Sequence, residues 1–328
     1  MGGDYGKFGD VTGAGKFDDY VLPFQLDASG ARGRFIRLGP VVDEILGRHD
    51  YPERVLLLLG EAVTLTAMLG ASLKFNRKFI LQTQSNGAVS FMVVHYRSPG
   101  HVRGYASYNR DDLDASMNGE GSKPLLGAGH LAMTIDPGAG MERYQGVVGL
   151  AGKTLTDAAH EYFDQSEQIP TLIRIAIARH FTAGDGARPG HWAWRAGGLM
   201  VQKLSREGGR QASDDTSQPD ASSVDDDGWR RAQALAATVE DHELLDPTLS
   251  PERLLYRLFH EEEVRAFEAT PLDAQCNCSR ERVETMLNQF SAEELDGMAE
   301  NDVITVTCEF CNTPYQFDAD QYLKGDGN

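Results

Sequence analysis

Four cysteines, the only ones in the chain, lie near its C-terminal end as Cys276-Asn277-Cys278 and Cys308-Glu309-Phe310-Cys311, with 29 residues between the pairs. Two close thiol pairs joined by a short segment have the spacing of a four-thiolate zinc site. In an extended backbone the side chains of Cys276 and Cys278 point to one face. The x-x spacing of Cys308 and Cys311 lets a turn present both sulfurs to one ion. Several chemistries use such thiols. A permanent structural zinc site is one. A thioredoxin-like pair at Cys308-x-x-Cys311 needs a βαβ setting, and none is visible nearby. Structural disulfides need an oxidising compartment, and the N-terminus shows no export signal. In a fourth reading the thiolates are a switch, because oxidising them removes the ligands of the ion they hold.

These thiols need elements to position them. Val283, Met286, Leu287 and Phe290 recur at helical spacing after the first pair, Ser291 and Glu294 can form a capping box, and Val303–Thr307 reads as a strand leading into the second pair. The apolar content of residues 271–328 is small, so this module is expected to depend on metal, which supplies ~10–16 kcal/mol in small zinc modules. Residues 229–270 read as a helical linker. Trp229 to Leu245 is a helix broken by Asp246-Pro247, and Ser250-Pro251 opens a second helix with Leu254, Leu255, Leu258 and Phe259 as its apolar stripe. Such helices are too short to form a core alone and must pack on a neighbour. Residues 206–228, rich in Ser, Asp and Gly, read as a disordered acidic insertion.

Residues 19–205 read as the main domain and residues 1–18 as a flexible tail. Gly13-Ala14-Gly15-Lys16 is not a phosphate loop, because Asp10 and Phe17 stand where the motif needs glycine and Ser or Thr. Short helical periodicity at Val41–Leu46 precedes a longer helix from Pro52 to about Lys74, apolar over most of its surface and therefore buried. Strands are expected at Lys78–Gln84 and Ala88–Tyr96 around Asn86-Gly87, then at Val102–Tyr108, Leu131–Ile135 and Tyr144–Leu150. A helix over Thr154–Gln168 follows. Strands at Thr171–Ala178 and Gly198–Leu204 flank a glycine-rich loop. The fold class is α+β: a large N-terminal sheet domain with packed helices, a helical linker and a small C-terminal zinc-binding module.

Composition narrows the function. Hydrophobic residues make up 41% of the 328, enough for a sizeable core, and the net charge is −18. From Cys276 to Cys311 two arginines face eight carboxylates. A nucleic-acid-binding zinc ribbon needs a basic face, so that partner class is excluded. The longest apolar run, Val55–Leu59, cannot span a bilayer, and a soluble cytoplasmic protein is expected. His260-Glu261-Glu262 ahead of Cys308-x-x-Cys311 approximates a zinc deaminase signature, but no proline precedes Cys308, and Cys276 and Cys278 would have no role. These residues read as a solvated helix face. No H-E-x-x-H, G-x-S-x-G or nucleotide motif is present, and nothing reads as a catalytic centre, so the chain is not read as an enzyme.

From about Arg34 to Phe317 the chain resembles the heat-shock protein 33 family of redox-regulated bacterial chaperones. The resemblance is carried by Cys276-Asn277-Cys278-Ser279-Arg280-Glu281-Arg282, Cys308-Glu309-Phe310-Cys311, Arg48-His49-Asp50-Tyr51-Pro52, Gly129-His130-Leu131-Ala132, Arg143-Tyr144-Gln145-Gly146, Tyr162-Phe163-Asp164-Gln165-Ser166-Glu167-Gln168-Ile169-Pro170 and Arg257-Leu258-Phe259-His260-Glu261-Glu262. The glycine-rich start, the longer loop near 180–197 and the acidic insertion depart from it. The resemblance implies one zinc ion held by Cys276, Cys278, Cys308 and Cys311 in a reduced, inactive state. It implies that oxidation pairs Cys276 with Cys278 and Cys308 with Cys311, releases zinc and loosens module and linker. Apolar surface would then bind unfolding client proteins without ATP, in a form that is typically a homodimer. Leu254, Leu255, Leu258 and Phe259 are the candidate client-binding residues. A static zinc-ribbon adaptor for a protein partner is the alternative.

Overall fold

The computed structural model describes residues 18–73, 77–115, 124–138, 141–183, 189–204 and 221–323. Strands β1 (Tyr20–Leu26) and β2 (Ala31–Leu38) form a hairpin, followed by helices α1 (Pro40–Gly47) and α2 (Glu53–Gly70). A meander of β3 (Lys78–Ser85), β4 (Val89–Arg97) and β5 (His101–Tyr108) leads through α3 (Arg110–Ala115) to β6 (Gly129–Asp136) and β7 (Tyr144–Gly149). Helix α4 (Leu155–Tyr162) and the long hairpin β8 (Thr171–Thr182) and β9 (His191–Lys203) complete the main domain. Helices α5 (Ala221–Ala237), α6 (Asp241–Leu245) and α7 (Pro251–Phe259) form the linker, and three short strands follow: β10 (Val264–Ala266), β11 (Thr270–Pro271) and β12 (Asp273–Ala274). The C-terminal module holds α8 (Arg280–Leu287), α9 (Ala292–Met298), β13 (Ala299–Glu300), β14 (Val303–Thr307), β15 (Pro314–Asp318) and α10 (Asp320–Leu323).

The first sheet runs β10-β1-β2-β9-β8, with β11 also on β1, and the second runs β12-β5-β4-β3-β6-β7. Helix α2 lies between them, buried from Val55 to Gly70 on nearly every side, as its all-round apolar pattern requires. The main core joins α1, α2 and α4 to the inner faces of both sheets. A second core lies on the opposite face of the first sheet, where Leu22, Phe24, Phe35 and Leu199 meet linker side chains including Ala232, Leu254 and Phe259. The third, in the C-terminal module, has five buried residues: Leu287, Leu295, Ile304, Phe317 and Ala319.

Most boundaries agree with the sequence reading, and the differences have local causes. Helix α5 begins at Ala221, inside the stretch read as disordered. There Asp226 pairs with Lys203 and Asp227 with Arg230, so the aspartates hold the helix start instead of dissolving it. The rest of that stretch, 206–220, lies outside the described residues, as do Gly13-Ala14-Gly15-Lys16 and Lys74. Strands β8 and β9 run past Ala178 and start before Gly198, pairing as far as Thr182 and His191. The extension is covered by Phe181 packed on Trp192, with the Arg179 guanidinium near Trp192 and Trp194. Helix α4 stops at Tyr162, and one wider turn over Phe163–Glu167 ends at Gln168 in the left-handed region. Glu262, read as solvated, is buried: its carboxylate accepts from the Ser29 hydroxyl and pairs with Arg231.

A candidate thiolate metal centre docked on a sheet

Strand β12 places the first cysteine pair. It lies parallel on the edge of β5, with Asp273 opposite His101 and Ala274 opposite Val102, and the Gln275 amide donates to the Val102 carbonyl at 3.1 Å. Cys276 is therefore the second residue beyond a sheet edge. Ser279 ends the pair by capping α8, accepting from the Arg282 amide. The second pair sits at the β14–β15 turn. Cys308 donates its amide to the Thr313 carbonyl, the Asn312 amide returns to the Cys308 carbonyl at 2.8 Å, and Asn312 has φ 56°. The left-handed residue closes the knuckle that the x-x spacing anticipates.

All four sulfurs lie within 4.8 Å of one another. Cys276 Sγ is 3.6 Å from Cys308 Sγ, and Cys278 Sγ is 3.2 Å from Cys311 Sγ. A tetrahedral zinc with Zn–S of about 2.3 Å needs sulfurs about 3.8 Å apart, so the donor set fits that ion in number, softness and spacing. The Tyr315 hydroxyl donates to Cys278 Sγ at 3.2 Å, and Cys311 Sγ lies 3.2 Å from Thr313 Oγ1. Burial, reinforced by the neighbouring thiols against the Tyr315 hydroxyl, pushes the Cys278 thiol up to about 12. Burial also raises Cys311, but its hydrogen bonds to Thr313 and Cys278 prevail and bring it down to about 6. A coordinating divalent cation overrides such differences, because a ligating thiol is deprotonated outright.

The cluster rests on the outer face of the second sheet. The Arg103 guanidinium lies 3.9 Å from the centroid of the Phe310 ring, its Nη1 is 3.8 Å from Cys276 Sγ, and it also donates to His95 Nδ1 at 3.0–3.2 Å. His95 and Tyr105 pack on Phe310, and His49 Nε2 donates to the Glu309 carbonyl at 2.7 Å. Arg97 donates to Gln275 Oε1 at 3.1 Å. These residues were missed in the sequence. The available signal was the alternation on β5, where His101, Arg103 and Tyr105 share the face opposite buried Val102 and Ala106.

The linker residues lie elsewhere. Leu254, Leu255, Leu258 and Phe259 are at most 3% exposed, covered against the first sheet, with Phe259 stacked on Phe24 at 5.7 Å between centroids. Buried Arg37 of β2 caps the linker: its guanidinium donates to the carbonyls of Glu243, Leu244 and Leu249. Arg195 of β9 donates to the Leu245 carbonyl and pairs with Asp18. At Gly197 of β9 the linker backbone approaches so closely that a Cβ would overlap the Leu244 carbonyl. A continuous strap connects the two regions: from α7 through the Glu262 latch, along β10 and β11 on β1, across to β12 on β5, and into Cys276.

Two stacked sheets around a central helix, helices docked on one outer face and a C-terminal cluster of four cysteines define a class of protein: a mixed α and β core that carries a compact four-thiol site. Comparison with known proteins agrees. The family model described as Hsp33 protein matches residues 19–318. A 33 kDa chaperonin of Caulobacter vibrioides is 44% identical over 308 residues, covering 93% of this chain and 96% of that protein. One of Pseudomonas paraeruginosa is 37% identical over 303 residues, covering 92% of each. The crystal structure of the Hsp33 homologue of Thermotoga maritima superposes with a TM-score of 0.68 at 21% identity, covering 93% of this chain and 98% of that one. The chain belongs to the Hsp33 family.

Proposed function

We propose that the chain is an ATP-independent holdase chaperone switched on by oxidation of Cys276, Cys278, Cys308 and Cys311. The observation that carries this reading is the pairing of a thiolate cluster with a buried apolar face, joined by one short strap. Cys276, Cys278, Cys308 and Cys311 would hold zinc, which would offset half of the charge of the four thiolates and link β12 and α8 to the β14–β15 turn. The chain's own residues do the rest. The five-residue core of the module cannot hold its shape unaided, so loss of ligands undoes it. Each disulfide formed delivers two electrons to the oxidant and removes two ligands. Near-neighbour pairing, Cys276 with Cys278 and Cys308 with Cys311, follows the resemblance. Two sulfur contacts, at 3.6 and 3.2 Å, run across the pairs, so that pairing requires these contacts to come apart.

Loosening then travels along the strap. β12 contributes two paired residues and β10 three, which are weak edge contacts. Once they part, Leu254, Leu255, Leu258 and Phe259, together with Phe24 and Phe35 beneath them, become available to unfolding clients. Each such side chain is worth about 1.5–3 kcal/mol of burial, which a client can restore. Among the described residues no helix is long and apolar enough to cross a membrane. The reading includes a cytoplasmic site of action, a homodimer as the active form, and neither nucleic acid nor nucleotide as partner.

The test is light scattering from a heat-unfolding client protein. The chain is added either reduced and zinc-loaded or after mild peroxide at raised temperature. Suppression of aggregation by the oxidised form alone, reversed by a reductant, supports the reading. Equal behaviour of both forms contradicts it and leaves a static zinc-ribbon adaptor.

A further inference from the structure

Between the second sheet and the cysteine module lies a concavity of about 160 Å³ lined by Lys78, Arg97, Arg103 and Arg282, with the imidazoles of His95 and His101. Among the described residues no carboxylate lines it. The chain as a whole has 49 acidic against 31 basic residues, so this is a local inversion of charge. The cations also hold unspent donors. Among the described residues the Lys78 ammonium has no ion-pair or hydrogen-bond partner. Arg97 spends one bond on Gln275 and Arg282 one on the Asn277 carbonyl. His101 Nδ1 is buried without a hydrogen bond, the exposed Asp273 standing 3.7 Å away at the rim. The field is felt inside: burial, then Arg103 and Lys78, hold His95 down to about 4.

We propose that this concavity binds a small inorganic oxyanion of the phosphate class, and that the bound anion clamps the cysteine module to the core sheet. Both partners contribute lining: Lys78 and Arg97 come from the core, Arg282 from the module. An anion held by all three is lost when they separate, so binding opposes undocking by mass action. The charge count rests on the zinc reading given above. A zinc tetrathiolate carries two net negative charges, and Arg103 already faces Cys276; four cations leave two positive charges over inside the concavity, with the exposed Asp273 carboxylate outside it beside His101, which suits an anion of one to two charges. Size selects a bare oxyanion. The space equals about five water volumes at about 30 Å³ each, below the roughly 300–1,000 Å³ of pockets that hold nucleotide-sized ligands.

The experiment uses the full reduced chain. Its zinc content is first measured with a chromophoric chelator, so a chain that holds no zinc fails that reading alone, and the phosphate titration still judges the pocket. Inorganic phosphate is then titrated calorimetrically against chloride at matched ionic strength, and the rate of zinc transfer to the chelator is measured in both salts. Phosphate is expected to bind and to slow zinc transfer severalfold. Lys78→Gln with Arg97→Gln, checked for an unchanged melting profile, is expected to weaken binding about tenfold or more and abolish the slowing. Arg174→Gln, on the first sheet, should leave both intact. The proposal is overturned if phosphate acts no differently from chloride, if zinc transfer ignores bound phosphate, or if the double variant behaves like the parent.

Discussion

At the residue scale the proposal rests on the four sulfurs, which lie within 4.8 Å of one another and so could all reach one ion. Replacing Cys278 with Ser leaves three thiolates and a hard hydroxyl; zinc affinity measured by chelator competition should fall by at least about tenfold. A variant holding zinc like the parent would show that Cys278 is not a ligand. A second residue reports on the fold. His160 Nε2 accepts from the Ile173 amide, tying α4 to β8, and burial lowers its pKa below the ordinary 6.5. The unfolded chain therefore binds this proton more readily than the folded one. The contribution to stability is complete above pH 6.5 and is lost as pH falls through the lower folded value. Thermal unfolding of the parent should lose more stability between pH 7 and pH 5 than that of His160→Gln; parallel curves would refute the assignment. The cysteines were legible because their spacing is local. Arg103, His49 and His95 were not, because each meets the cluster only through tertiary packing.

At the element scale the linker is held by more than its apolar stripe. The stripe was legible from periodicity, and the Ser250 cap with it. What the sequence concealed is the polar half of the docking: Arg37 capping carbonyls more than 200 positions away, Gly197 letting the linker backbone approach, and the Glu262–Ser29–Arg231 latch. Each pairs residues far apart in the chain, which no local pattern encodes. Arg37→Met keeps the bulk and removes the donors, leaving the buried Leu244 carbonyl unpaired at a cost of about 1–3 kcal/mol and the part-buried Glu243 and Leu249 carbonyls without their donor. Hydrogen exchange in α6 and α7 should accelerate while that of α2 stays slow. Gly197→Ala should loosen the same helices by displacing Leu244. Both variants are expected to suppress client aggregation without oxidation; unchanged exchange in α6 and α7 would mean the docking does not depend on these contacts.

At the scale of the whole molecule, stability is graded. The main core spans two sheets and α2, the linker core borrows one face of a sheet, and the module core is five residues. The mixture of helices with a large sheet domain was legible in composition and periodicity. The stacking of two sheets on α2, and the strap joining module to linker, follow from strand order, which local pattern does not give. Removing metal at neutral pH with a strong chelator should melt the third sheet, β13-β14-β15, while the two larger sheets keep their circular dichroism. The most direct test of the central claim is hydrogen exchange across residues 221–274, read by mass spectrometry on the reduced zinc-loaded chain and again after peroxide, with released zinc measured in the same samples. The account predicts slow exchange in α5, α6 and α7 while zinc is held, then rapid exchange there once zinc is released, with α2 still protected. Linker helices that stay protected after all four thiols are oxidised and zinc is free would contradict it.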